Sequence, residues 1–218
     1  MSILRMSLGG KNDEVHSTVV SGKITNRARY FADFESYLVA LHGFALVAEA
    51  SNRGTASNYR ASDVVALGCK QSPEQWLWAP APTVALLALN HSPQELSLER
   101  RGCSLPPAGA TLNLGALDTL LYTFGQALAT NYFERHIPHV KTKYGDAPNG
   151  WPDVWNFGRV VRNAMSHGGK ITFASLNAQP VQWRSLNYSP ANNGLRILHT
   201  DLWPGDLFNL IQDMDAAM

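Results

Sequence analysis

Apolar residues recur at three- and four-residue steps in several stretches of this chain, and late in the sequence the step changes to two. Tyr30, Phe31, Phe34, Leu38, Leu41, Phe44, Ala45 and Val47 keep the helical step. That spacing predicts an amphipathic helix from Asn26, its N-cap, to about Ala50, ended by Ser51-Asn52-Arg53-Gly54. Leu117, Leu120, Leu121, Phe124, Leu128 and Phe133 define a second helix over Leu114 to His136, with Asn113 as N-cap. Pro138 should stop or kink it. Pro152, at a first-turn position, opens a third helix through about Ser166, and Gly168-Gly169 closes it.

After Gly169 the pairs Ile171/Phe173, Val181/Trp183 and Leu195/Ile197 alternate with polar neighbours. They predict a small antiparallel sheet or hairpin over 170–199, with Asn192-Asn193-Gly194 as a turn. Leu207, Phe208, Leu210, Ile211 and Met214 predict a short C-terminal helix over 205–217. Residues 51–112 are rich in Pro, Ser, Gly and Asn and read as an irregular insertion with one or two short helices. Residues 1–25 read as an N-terminal arm. The pattern therefore predicts one mainly α domain over 1–218, with a small antiparallel β insertion near the C-terminus.

Composition narrows the function classes. The chain has 218 residues, 45% of them hydrophobic, enough to build a core and to exclude disorder over most of its length. Lys and Arg number 18 against 17 Asp and Glu, a net charge of +1. That balance argues against broad coating of nucleic acid, yet leaves room for a local phosphate site. Charged residues reach only 16%, against about 25% in an average soluble protein, which favours burial against a second subunit. Cys69 and Cys103 are too few for a disulfide scaffold or a four-cysteine zinc site, and read as reduced thiols. Met1 to Gly10 lacks a secretory pattern, and apolar runs such as Val84 to Leu89 fall far short of the ~18 residues a membrane helix needs. A soluble, cytoplasmic protein without membrane contact is expected.

The third helix carries the most chemistry. At ~100° per residue, Arg159, Arg162, Asn163, Ser166 and His167 share one arc of about 140°. Val154, Phe157, Val160, Val161, Ala164 and Met165 fill the opposite side. Guanidinium forks suit phosphate, and imidazole titrates near neutral pH. Together they suit cleavage of an RNA phosphodiester by its own 2′-hydroxyl, His167 moving a proton and Arg162 holding the developing charge. Trp155 falls in the same polar arc and could stack on a base or bury against a second subunit. A merely solvated face fits the same residues, and His167 beside two glycines also fits a helix C-cap.

Other signals are weaker. Glu134-x-His136-x2-His139 offers zinc-type ligands, but the spacing is not the His-Glu-x-x-His pattern and Pro138 breaks the alignment. A basic helix end, continued by Lys141 and Lys143, is the plainer reading, and no metal is expected. The six tryptophans fit core or interface packing better than a base-stacking surface. No Walker loop, Rossmann fingerprint or Gly-x-Ser-x-Gly elbow is present, and no cofactor is expected.

The segment Arg162-Asn163-Ala164-Met165-Ser166-His167 resembles the Arg-x4-6-His motif of the HEPN superfamily, with a polar residue directly after the arginine and Gly168-Gly169 following. The resemblance implies a HEPN-like antiparallel helical bundle, covering roughly 26–50 and 113–217. It implies a metal-independent endoribonuclease whose composite site forms at a homodimer interface, in a toxin–antitoxin or phage-defence setting. RNA and a protein antitoxin would then be partners. Arg162 and His167 match the family's catalytic pair and Asn163 its supporting polar position. Arg159, Ser166 and Trp155 join them as substrate-binding residues only through the helical wheel. The resemblance equally admits a non-catalytic module that binds a nucleotide, a nucleic acid or a protein.

Overall fold

The computed structural model describes residues 3–9, 19–53, 63–115 and 118–218. They form two compact units, Met1–Pro106 and Pro107–Met218.

The first unit overturns the mainly α expectation. It is built on a mixed sheet of five strands: β1 (Ile3–Leu8), β2 (Val19–Thr25), β3 (Asp63–Gly68), β4 (Glu74–Trp78) and β5 (Glu95–Gly102). The order is β1-β3-β4-β5-β2, with β1 parallel to β3 and the other pairs antiparallel. Helix α1 (Phe31–Arg53) precedes β3, and helix α2 (Pro80–Ala88) joins β4 to β5. The chain is thus an α/β protein, neither an all-helical one nor a helical bundle throughout.

The stretch read as an irregular insertion over 51–112 holds three of these strands and α2, and the stretch read as an arm over 1–25 holds the other two. The reason is visible in the pairings. Ile3 lies opposite Asp63, and Val19 opposite Arg101, so most strands find partners far along the chain. Short strands with remote partners leave no local signature beyond a brief apolar run. In β3 that run is Val65-Ala66-Leu67, buried throughout; in β5 Leu96 and Leu98 alternate inward. Helix α1 buries Phe31, Phe34, Tyr37, Leu38 and Leu41 at helical spacing, as expected. It starts at Phe31 rather than Asn26, because Ala28 N–H donates to Thr25 O and Phe31 N–H to Ala28 O in a preceding turn.

The second unit contains the other three predicted helices. Helix α3 (Asp118–Tyr144) continues past Pro138. Tertiary anchors carry it: Val140 is fully buried, and the Tyr144 hydroxyl donates to Ala217 O at 3.1 Å. Helix α4 (Asp153–Ser166) buries Phe157, Val160, Val161, Ala164 and Met165, the face the periodicity assigns to the core. A two-stranded sheet, β6 (Val181–Trp183) and β7 (Leu186–Tyr188), lies inside the predicted 170–199 range. Its tight turn is at Arg184-Ser185, Arg184 having φ 51°. Asn192-Asn193-Gly194 makes a different reversal, which sets Leu195 against Ile171 (Ile171 N–H to Leu195 O, 2.9 Å). Helix α5 (Pro204–Ala216) closes the chain and is buried on nearly every side from Pro204 to Ile211, which makes it a central helix rather than a surface one.

Two glycines shape α4. A Cβ on Gly158 would lie 2.6 Å from Met214 Sδ, so its hydrogen lets α5 come close. Gly168, with φ 68°, takes the left-handed position just past the helix, and Gly169 N–H donates back to Ala164 O at 2.8 Å. The neighbouring orphan carbonyl, Met165 O, is taken by α3 instead, through the Tyr122 hydroxyl and Gln126 Nε2 (3.0 Å).

Candidate functional site

The α4 polar stripe stands as the spacing predicts, though its members differ in surroundings. Arg159, Arg162 and Asn163 are half-buried; Ser166 and His167 are exposed. Ser166 donates its hydroxyl back to Arg162 O at 3.3 Å, and His167 is the C-cap residue of α4. Trp155 departs from the expectation. It is fully buried, its Nε1 donates to Met214 O at 2.9 Å, and its ring packs on Tyr132 and Phe133 at 6.2 and 5.5 Å between centroids. The wheel places it correctly in angle, but at that level α3 and α5 cover the arc. Trp155 is therefore core, not a base-stacking surface. The other five tryptophans are buried as well, as core packing requires.

Arg162 is tied to both helices. Its Nη2 lies 2.5 Å from Glu134 Oε1 on α3, and its Nη1 donates to Asn163 Oδ1 at 3.3 Å. Its Nε is buried with no hydrogen-bond partner. Arg159 is less satisfied still. Its Nε is also buried without a partner, and it has no ion pair among the described residues. Burial pushes its pKa below the ordinary arginine value, the direction a poorly compensated cation must take. It nevertheless stays charged. Thr130 adds a third such atom, its Oγ1 buried without a partner. It lies one turn from Glu134 and one turn from Gln126 on the same stripe of α3. The seam between α3 and α4 thus holds donors that no protein acceptor uses.

Glu134 entered the sequence argument only as a doubtful zinc ligand. The structure gives it to Arg162, while His136 packs on the Tyr132 ring at 4.7 Å. Among the described residues, no three His, Cys, Asp or Glu side chains gather as a metal would require. The signal for Glu134 was available in principle: a carboxylate on the same α3 stripe as Gln126, opposite a helix with unpaired arginines.

A second cluster escaped the sequence reading. At the start of α3, Asp118 accepts from Arg196 through Oδ2, and its Oδ1 lies 2.9 Å from His199 Nδ1. His199 is 4% exposed and adopts φ 65°, a left-handed backbone rare outside glycine. Its carbonyl accepts from Leu112 N–H, and its own N–H donates to Leu202 O. Burial pushes the His199 pKa below the usual histidine value, and Asp118 offsets this only in part. Asp118 in turn is held below the usual carboxylate range: its burial works the other way, but bonds from Arg196 and His199 outweigh it.

No family model matches this chain, and neither a curated protein nor a solved structure matches it. No helix among the described residues is long and apolar enough to cross a membrane.

Proposed function

We propose that the second unit binds an RNA phosphodiester on the polar face of α4 and cleaves it as a HEPN-like endoribonuclease. The observation that carries this reading is the pair of buried, unpartnered Nε atoms of Arg159 and Arg162, one turn apart on one helix face. Buried donors of this kind are costly unless a ligand completes them. An oxyanion bearing several acceptor oxygens does so, and a guanidinium fork fits it. His167, exposed at the end of the same stripe, supplies the proton-transfer group. In the reaction the 2′-hydroxyl gives its proton to a His167 imidazole as its oxygen bonds to phosphorus, and the bond from phosphorus to the 5′-oxygen breaks, that oxygen leaving with a proton from an imidazolium; Arg159 and Arg162 stabilise the charge on the phosphoryl oxygens. Asn163 steadies Arg162 through Nη1. Two copies meeting at their α4 faces would form the composite site that the family resemblance implies.

A second reading is a non-catalytic HEPN-like binding module. The Glu134–Arg162 ion pair favours it, since a carboxylate already neutralises the arginine of the motif.

The test is cleavage of a broad panel of cellular RNAs in EDTA, comparing wild type with Arg162→Ala and His167→Ala at matched folding and oligomeric state. Cleavage by wild type that leaves 2′,3′-cyclic phosphate ends, and is lost in both variants, is the expected outcome. RNA binding without cleavage would favour the binding module.

A further inference from the structure

We propose that Glu134 is a built-in competitor for the anion: Glu134 and the phosphate contend for the same edge of Arg162, and binding requires Glu134 to let go. The inference rests on the reading of α4 as a phosphate-binding face.

An arginine binds an oxyanion best through two parallel donors, and on one edge those donors are Nε and Nη2. Glu134 Oε1 takes Nη2 at 2.5 Å, while Nε on the same edge is buried and unbonded. The carboxylate therefore fills half of the fork. An oxyanion entering that edge must meet both donors, and so must displace Glu134.

Besides Arg162 Nε, Arg159 Nε one turn back on α4 and Thr130 Oγ1 one turn back from Glu134 on α3 are buried without partners. One carboxylate oxygen does not satisfy them; a phosphate, with more acceptor oxygens, suits the set. Glu134 also leaves the seam with one net positive charge from two guanidiniums. Released, it leaves two.

The Arg162 and Glu134 side chains are 34% and 48% exposed. An ion pair this open to water contributes less than a buried one, because water solvates the separated charges. Exchange of the carboxylate for a phosphate is thus cheap, and Glu134 can turn to solvent without leaving a buried charge behind. It acts as a threshold: a ligand must offer more to Arg162 than one monodentate carboxylate does, which discriminates against carboxylates and single weak anions.

The test is calorimetric titration of the full chain with inorganic pyrophosphate, and in parallel with a 2′-O-methyl RNA oligonucleotide that cannot be cleaved. Glu134→Gln should bind pyrophosphate about tenfold tighter than wild type, since a neighbouring like charge is removed. The same change in an Arg162→Ala background should give no gain, and Arg159→Ala should weaken binding about tenfold or more. In wild type, the Arg162 Nε–H resonance should move as pyrophosphate is added. Equal or weaker binding by Glu134→Gln, with Arg159→Ala still impaired, would overturn the competitor while leaving the phosphate face intact. A static Arg162 resonance would overturn it too, whatever the folding of the variants. No binding by any form would sink the phosphate-binding reading and this inference with it.

Discussion

The second unit holds two clusters with the same ingredients, and they differ in how complete they are. At the start of α3, Asp118 serves both Arg196 and His199, and the histidine is almost fully enclosed. In the middle of α3, Glu134 serves Arg162 alone, Arg159 is left without a partner among the described residues, and His167 stands in the open. A complete cluster holds the fold together: its carboxylate is used on both oxygens and it fixes a segment with strained backbone. An incomplete one leaves buried donors that no side chain of the protein fills. Counting charged residues would rank the two alike; counting unfilled hydrogen-bonding positions separates them.

That contrast can be broken at its base. Trp155 lies beneath the seam between α3, α4 and α5, so Trp155→Ala should cost about 3–5 kcal/mol and impair binding only through unfolding. Urea unfolding measures it; a loss below 1 kcal/mol would mean the three helices pack without the ring. A direct comparison comes next. Asp118→Ala strands a buried imidazole and should cost about 1–3 kcal/mol, whereas Glu134→Ala, at an exposed pair, should stay within about 0.5 kcal/mol. Equal costs would erase the distinction.

A pH titration of stability sharpens it further. His199 has its pKa lowered by burial from 6.5, so below about pH 6.5 the unfolded chain binds more protons and stability falls. Asp118, also lowered, contributes stability that is present above its unfolded value of 3.8 and is lost as pH falls through the folded one. Denaturant midpoints measured from pH 7 to 5 should therefore decline, and His199→Asn should flatten the decline. The smallest effect is the most telling. Arg159→Met removes an unsatisfied buried donor while keeping the aliphatic stem, so it should raise stability by about 0.5–1 kcal/mol while weakening anion binding. A destabilised variant would show that Arg159 is structural after all.

Periodicity revealed the second unit well, because its signals are local. The α4 stripe, its Gly168-Gly169 stop and the C-terminal helix all follow from residues within a few positions of one another. The α3 boundary failed at Pro138, where packing of Val140 and Tyr144 outweighs the local penalty. In the first unit α1 and a short helix were legible, but the sheet was not. Its strands are brief, sit between turn-forming residues and pair at long range, so the 51–112 segment shows composition but no period. The candidate site divides in the same way. Arg159, Arg162, Asn163, Ser166 and His167 lie on one helix and were legible; Glu134 meets Arg162, and Asp118 meets His199, only through tertiary structure. Trp155 shows the limit of a wheel, which gives direction but not what covers it.

The pairing of β2 with β5 has a consequence for synthesis. Val19 emerges from the ribosome early, but its partner Arg101 is among the last residues of the first unit to appear. At about 5–20 residues per second, β2 waits several seconds with an unpaired edge. The sheet can close only after β5 is out, so the whole first unit must be delivered before any of it is secure. Slow stretches of translation placed just after Gly102 would give that closure time, whereas the second unit, with mostly local helices, needs no such pause.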